Sequence, residues 1–496
     1  MNPRPLLLIP ALLLGLPAPA AAAPAADSVV KILATVRYPN PIRPWTRTDR
    51  SEVIGTGVII EGKRILTNAH LVLYATEVYV QPRPGEDKVE ATVAAVGPEA
   101  DLALLAVKED SFFQKRPALP RARKLPHVQD NVVVYGFPVG GSDMAVTKGV
   151  VSRIGFGTGG LLIQISAAVN PGNSGGPAVV DGRMIGVVVS RLDEAENTSF
   201  IIPNEEIDLF LEDIKDGRYD GKLTEASGTE FQRLENESLR RSLKLDKSVK
   251  GLLIFPPARP DPGYPFREYD VLTRIGDYAI DNEGMVRWQE NLRAPFYWLI
   301  PRLARGNTVG VTVLRGGKPV KLDMPVSAHD YQLIRDFRGE KLSYFIHGPL
   351  VFAVAKGDSI SYYGRLHPGL YACQSPLVTR RCDRVRFPGE ELVVVTSPMF
   401  AHKMTKGYRD PVGQVVREVN GVRIRNLRHL VEVLRDSKDE FLRFRFAEQG
   451  SELLVFNRRE MDRATEEVME ENGIPPSRRG SEDMLAVWKR KSPPAP

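Results

Sequence analysis

Asn170-Pro171-Gly172-Asn173-Ser174-Gly175-Gly176-Pro177 sets one serine among three glycines and two prolines. Glycines admit backbone conformations closed to other residues, so successive N–H groups can converge beside an exposed serine hydroxyl. The N–H groups of Gly172, Asn173 and Ser174, chiefly the first and last, would then form a cradle for a developing oxyanion. One such donor is worth about 10²–10³ in rate. Taken alone, the stretch also reads as a tight turn between strands.

A hydroxyl is a poor nucleophile near neutral pH and requires a base. Thr67-Asn68-Ala69-His70 supplies a histidine just after the strand-like Ile65-Leu66-Thr67. A lone histidine there also reads as a surface or capping residue. The third requirement is a carboxylate to fix the imidazole tautomer and stabilise the imidazolium. Asp101 meets it at the mouth of the apolar run Leu102-Ala103-Leu104-Leu105, with Glu99 as a rival. Together the three occur in the order His70, Asp101, Ser174, which is the order of a chymotrypsin-like double barrel.

The surrounding pattern agrees. Short β-rich runs recur at Val29–Val36, Gly57–Ile60, Val78–Val80, Ala91–Val96, Leu102–Val107, Val132–Gly136 and Ile185–Val189, broken by Gly, Pro and Asn. Closely spaced strands without intervening amphipathic helices predict a barrel or sandwich rather than a parallel α/β sheet. Pro203-Asn204-Glu205-Glu206 then supplies a cap and acidic first turn, and Ile207, Phe210, Leu211 and Ile214 recur at helical spacing. This unit covers residues 27–220.

A second unit, 222–328, holds a polar helix-like stretch, then Gly251-Leu252-Leu253-Ile254, and ends in two strand runs. A third, 342–472, ends in a related strand-turn-helix-strand-strand tail, which suggests a duplicated module. Residues 473–496 are rich in proline and charge and are expected to lack structure. The fold class expected is mainly β: a double-barrel domain followed by two smaller α+β domains.

The first 26 residues pass from Arg4 through an apolar Leu6–Leu16 to an alanine-rich stretch, the order of a cleavable signal peptide. The apolar core is too short to span a bilayer, so stable membrane insertion is not expected, and the mature chain would be periplasmic or extracellular. In that setting Cys373 and Cys382, the only cysteines, could pair. The 67 Lys+Arg against 61 Asp+Glu give a formal +6 without a long basic run, which gives no support to nucleic-acid binding. Seven histidines form neither a His-Glu-x-x-His pattern nor a Cys/His cluster, so no metal is expected.

The segments Thr67–His70, Asp101–Leu105 and Gly172–Pro177 resemble the three motifs of the HtrA/DegP family of serine proteases. In that family the protease domain precedes one or two PDZ domains, so the resemblance spans nearly the whole mature chain. It implies a specificity pocket at Val169, Val189 and Ser190, floored by apolar side chains. It implies a carboxylate-binding loop at Gly251, Leu252, Leu253 and Ile254. The third unit, with Gly348-Pro349-Leu350-Val351 at the corresponding loop, resembles a degenerate PDZ domain, since Pro349 lacks an N–H. The resemblance further implies cleavage of unfolded or misfolded proteins, binding of peptide C-termini, homo-oligomers, and neither ATP nor cofactor. A chaperone or adaptor gripping exposed termini is the competing reading.

Overall fold

Val29 to Val36 alternates buried with half-buried positions, and Val30, Ile32, Ala34 and Val36 turn inward together. That period of two starts a closed sheet in a computed structural model that describes residues 25–490 apart from 158, 190–198, 227, 257–262, 290–291, 330, 367 and 371–372. Of the expected leader, residues 1–24 lie outside the described residues. No helix among the described residues is long and apolar enough to cross a membrane.

The first barrel comprises β1 (Val29–Val36), β2 (Ser51–Ile60), β3 (Arg64–Thr67), β4 (Ala75–Gln81), β5 (Val89–Gly97) and β6 (Leu102–Val107), closed in the order β1-β2-β3-β6-β5-β4. The second comprises β7 (Asn131–Gly136), β8 (Ala145–Gly157), β9 (Gly160–Ile165), β10 (Pro177–Val180), β11 (Arg183–Val189) and β12 (Ser199–Pro203), closed as β10-β11-β12-β9-β8-β7. Closure removes every sheet edge. One apolar cluster joins Val58, Ile60, Leu66 and Leu104 of the first barrel to Met184, Val187 and Ile202 of the second.

Helix α1 (Asn204–Asp213) completes that seam with Ile207 and Phe210. Pro203 occupies the cap position and makes no side-chain cap; the Asn204 amide instead donates to the carbonyls of Ala122 and Met184, at 2.9 and 2.7 Å.

The second unit is a twisted sheet with helices on its flank. Its elements are β13 (Thr224–Glu225), β14 (Glu230–Arg233), α2 (Glu237–Ser242), β15 (Leu252–Phe255), β16 (Val271–Ile275), β17 (Tyr278–Ala279), β18 (Met285–Gln289), β19 (Leu292–Pro295), α3 (Ile300–Leu303), β20 (Thr308–Arg315) and β21 (Lys318–Ser327). The strand order is β13-β21-β20-β16-β15-β14, so β14 is an edge and β15 is interior.

This unit is fastened to the second barrel through Glu206 of α1, which is 2% exposed. The Glu206 carboxylate accepts from Lys222 Nζ and the Trp298 indole, each at 2.6 Å, from the Leu161 N–H at 3.1 Å and from Arg302 Nη2 at 3.4 Å. The Arg302 guanidinium also stacks 3.4 Å over the Trp298 ring. Burial pushes the Glu206 carboxyl upward, but Lys222, Arg302 and the indole outweigh it and leave the group below its ordinary value.

The third unit contains β22 (Tyr344–His347), β23 (Leu350–Val354), α4 (Gly357–Leu366), α5 (Pro376–Thr379), β24 (Val393–Val395), β25 (Val416–Val419), β26 (Val422–Arg423), α6 (Leu427–Asp436), β27 (Phe441–Phe446), β28 (Leu454–Asn457), α7 (Arg458–Glu471) and α8 (Glu482–Lys489). Two sheets, β22-β23-β24 and β26-β25-β27-β28, share a core around Phe352, Leu430 and Phe444.

Two expectations are corrected here. The tail from 473 is ordered through residue 490: Ile346 N–H donates to Arg479 O at 2.8 Å and Ser481 N–H to Tyr344 O at 3.0 Å, so the tail pairs antiparallel with β22. Met484 and Val487 of α8 then enter the third core beside Trp488. That apolar spacing wins over the surrounding proline and charge. The second correction is that Cys373 and Cys382 are both free thiols. Cys373 is half-buried and its backbone is tied by hydrogen bonds to Gly369 O and from Gln449 N, while Cys382, which follows α5 in the chain, is exposed.

Two outcomes are expected. Glu206→Ala leaves Lys222 and Arg302 facing a half-buried void and costs about 3–5 kcal/mol, read as faster proteolysis of the 217–223 connector. Because the folded carboxyl is depressed, its contribution is complete above the unfolded value of about 4.3 and is lost as pH falls through the lower folded value. Ending the chain at residue 475 bares β22 and removes Met484 and Val487, so the thermal transition of the third unit should drop and aggregation rise.

Candidate active site

The 3₁₀ segment Ala69–Leu71 that follows β3 carries His70, and the turn between β5 and β6 carries Asp101. Asp101 takes a left-handed backbone, φ +51°, which aspartate tolerates better than most residues. Its carboxylate faces the imidazole: His70 Nδ1 lies 2.9 and 2.8 Å from the two oxygens, and the His70 backbone N–H donates to Oδ1 at 3.0 Å. Nδ1–H therefore points at Asp101, which leaves Nε2 as the nitrogen able to accept a proton. Asn68 supports the arrangement by donating its amide to Asp101 O at 2.9 Å. Glu99 plays no part in it; that carboxylate is paired with Arg338.

Ser174 sits across the seam, in the connection from β9 to β10. It is buried, at 2% exposure, where an exposed hydroxyl was expected. The reason is close packing of its turn against the first barrel. Gly175 has φ +83°, and a Cβ there would lie 2.1 Å from Thr56 O and 2.4 Å from Thr67 Oγ1. Gly172 has φ +98°, and a Cβ there would lie 2.4 Å from Phe137 O.

Thr56 of β2 organises the seam, although its sequence gave no signal. Its N–H donates to Ser174 O at 2.9 Å, its hydroxyl donates to Gly172 O at 2.7 Å and accepts from Phe137 N at 2.9 Å, and its carbonyl accepts from Thr67 Oγ1 at 2.7 Å.

Of the three expected oxyanion donors, Asn173 is ruled out because its N–H is spent on Asn170 O at 3.0 Å. The Pro171 carbonyl accepts from Val139 N at 2.8 Å. In a planar trans peptide the Gly172 N–H then points the opposite way, and it has no acceptor among the described residues.

The expected specificity residues do not converge. Val169 packs with the interior of the second barrel and Val189 with the interbarrel cluster. Side chains alternate along β11, so Val188, not Val189, shares the cluster of Val169. Ser190 lies outside the described residues.

The expected carboxylate-binding loop is likewise corrected. Leu252, Leu253 and Ile254 are buried in β15, whose two edges are already paired with β14 and β16. Gly251 directs its N–H to Asn282 Oδ1. The open edge belongs to β14, flanked by the segment Phe296–Leu303, with Phe231 and Phe296 in edge-to-face contact at 5.0 Å. In the turn before β14, the N–H groups of Gly228 and Thr229 are satisfied by the Glu225 carboxylate, at 2.8 and 2.9 Å.

A model of the trypsin-like peptidase domain matches residues 55–187, and a model of the PDZ domain matches residues 335–483, which is the third unit. Protease Do-like 2, chloroplastic, from Arabidopsis thaliana is 33% identical over 472 residues, covering 93% of this chain and 76% of its own length. The chain belongs to the Do-like, HtrA/DegP-type serine protease family. Another member, Protease Do-like 4, mitochondrial, from the same plant, is 32% identical over 463 residues, covering 91% of this chain and 84% of its own. Among solved members of the family, an HtrA-type protease AlgW with decapeptide aligns at TM-score 0.45 and 24% identity over 61% of this chain and 96% of that one.

Thr56→Val keeps the shape of a serine protease core residue but leaves Gly172 O and Phe137 N buried without the hydroxyl, costing about 1–3 kcal/mol. The expected result is a kcat reduced about 10²-fold with KM nearly unchanged and a native circular dichroism spectrum.

Proposed function

We propose that the chain is an ATP-independent serine endopeptidase that cleaves unfolded or damaged proteins through an acyl-Ser174 intermediate. The observation that carries this reading is the His70 Nδ1–Asp101 contact at 2.8–2.9 Å, on the same barrel wall whose Thr56 holds the Ser174 turn. Asp101 keeps the proton on Nδ1, so Nε2 takes the Ser174 hydroxyl proton as the oxygen attacks a peptide carbonyl. The carbonyl oxygen becomes an anion and receives the Gly172 N–H. Collapse expels the amine, which takes the proton from Nε2. Water then repeats the sequence on the ester and frees Ser174.

Peptide binding in the second unit would use strand addition at the β14 edge. Since Glu225 fills the turn before it, main-chain pairing and the Phe231–Phe296 surface would carry that binding rather than a terminal carboxylate. The leader-like order of residues 1–26 supports export, and family membership supports homo-oligomeric assembly.

The test is hydrolysis of unfolded casein without ATP and with a chelator present, comparing the mature protein with Ser174→Ala. Wild-type cleavage that falls about 10⁴-fold or more in the variant is the expected result. Equal cleavage by both proteins would sink the nucleophile assignment. If neither cleaves while both suppress aggregation of an unfolding client, a binding role replaces the enzymatic one.

A further inference from the structure

The connection from β1 to β2 leaves the first barrel and meets the third unit. Thr396 Oγ1 donates to Ile42 O at 3.2 Å, Arg478 Nη1 donates to Trp45 O at 3.3 Å, and the rings of Trp45 and Phe400 stand 5.7 Å apart. Between these contacts lies a cavity of about 770 Å³. Ile42, Trp45, Met399 and Phe400 form its apolar wall, and Leu366 of α4, 43% exposed, stands at its margin.

The charged side chains among its lining residues are all of one sign, and its other polar side chains, Asn40, Thr46, Tyr362, Ser397 and Asn472, are neutral. Arg43 and Arg478 both line the cavity, no Asp or Glu does, and neither guanidinium has a carboxylate partner among the described residues. Ser397 also lines it; the residue is 6% exposed and its hydroxyl has no hydrogen-bond partner among the described residues. A buried hydroxyl without a partner is costly, as polar groups out of water are ordinarily satisfied. Two cations and a donor beside an apolar wall complement a carboxylate borne on an apolar body.

We infer that this cavity is a binding site for the C-terminus of a peptide whose last side chain is apolar. The carboxylate would lie between Arg43 and Arg478, the terminal side chain against Trp45 and Phe400, and Ser397 would donate to a peptide carbonyl. The source of such a ligand rests on the proposed protease activity, because each hydrolysis leaves a new carboxylate on the residue that preceded the cut bond. The site is separate from the β14 edge and from the β22 edge. Its walls come from both the first barrel and the third unit, so occupancy favours the arrangement in which these are docked.

The experiment is titration calorimetry on the Ser174→Ala protein, which binds without turnover, using a synthetic hexapeptide ending in Ala-Val with a free carboxylate. The same peptide as its C-terminal amide and decanoate serve as comparisons. Expected is saturable binding of the free acid, weakened about tenfold or more in the amide and in the Arg43→Gln/Arg478→Gln double variant. Ser397→Ala should weaken it by a smaller factor, and the thermal transition of each variant should match the parent. Equal binding of acid and amide, or binding unaffected by the double variant, overturns the inference and points to the strand edges. Binding of decanoate without the peptide also overturns it. Casein hydrolysis by the wild type decides the protease reading separately: peptide binding without hydrolysis removes that reading and keeps the site, and hydrolysis without peptide binding does the reverse.

Discussion

One buried threonine connects the two halves of the catalytic machinery. Thr56 uses its N–H, its carbonyl and its hydroxyl on four partners: Ser174, Thr67, Gly172 and Phe137. Thr67 leads directly into Asn68 and His70, while Gly172 and Ser174 belong to the other barrel. The base and the nucleophile are therefore held in register through a shared neighbour. Apolar packing across the seam is non-directional and could tolerate a slide of the barrels. Hydrogen bonds of defined length and angle cannot, and their donors and acceptors are buried where water does not replace them.

Much of this was legible in the sequence because its signals are local. The period of two in Val29–Val36 and the runs around Leu102 and Val132 read as strands, and the three motifs gave His70, Asp101 and Ser174. Thr56 was not legible. A threonine inside a strand is an ordinary β residue, and its decisive partner is 116 positions away. Asn173 fails for the opposite reason: the motif suggests three converging N–H groups, but the Asn170-Pro171-Gly172-Asn173 turn consumes the middle one, that of Asn173, as its own closing bond.

For the carboxylate-binding loop expected at Gly251 to Ile254, the sequence holds a signal that argues against it. Leu252-Leu253-Ile254 is apolar at every position, which suits a strand covered on both faces and paired on both edges. Glu230-Phe231-Gln232-Arg233 presents polar residues around one aromatic, the pattern of an edge. For the tail, Ser481-Glu482-Asp483 followed by Met484, Val487 and Trp488 has a helix start and helical spacing. Composition averaged over 473–496 obscured it.

The two PDZ-type units consequently stand in different positions toward a peptide. At β14 the outer edge has no strand partner among the described residues. At β22 an incoming strand must first displace residues 479–481 and the helix behind them, whose Met484 and Val487 side chains are each worth about 1.5–3 kcal/mol when buried. A short peptide forming a few strand bonds, each with a net value of about 0.5–1.5 kcal/mol, does not recover that cost. The third unit is therefore built to stay closed on its own chain, and its outer surface is what remains available to the rest of the molecule. That surface is used: Arg338 pairs with Glu99, Gly339 N–H donates to Tyr74 Oη at 3.0 Å, and Thr396 and Arg478 hold the β1–β2 connection. Glu99 lies two residues before Asp101, and the β1–β2 connection leads into the strand that carries Thr56. The third unit is therefore anchored to the two segments of the first barrel that lead directly to Asp101 and to Thr56.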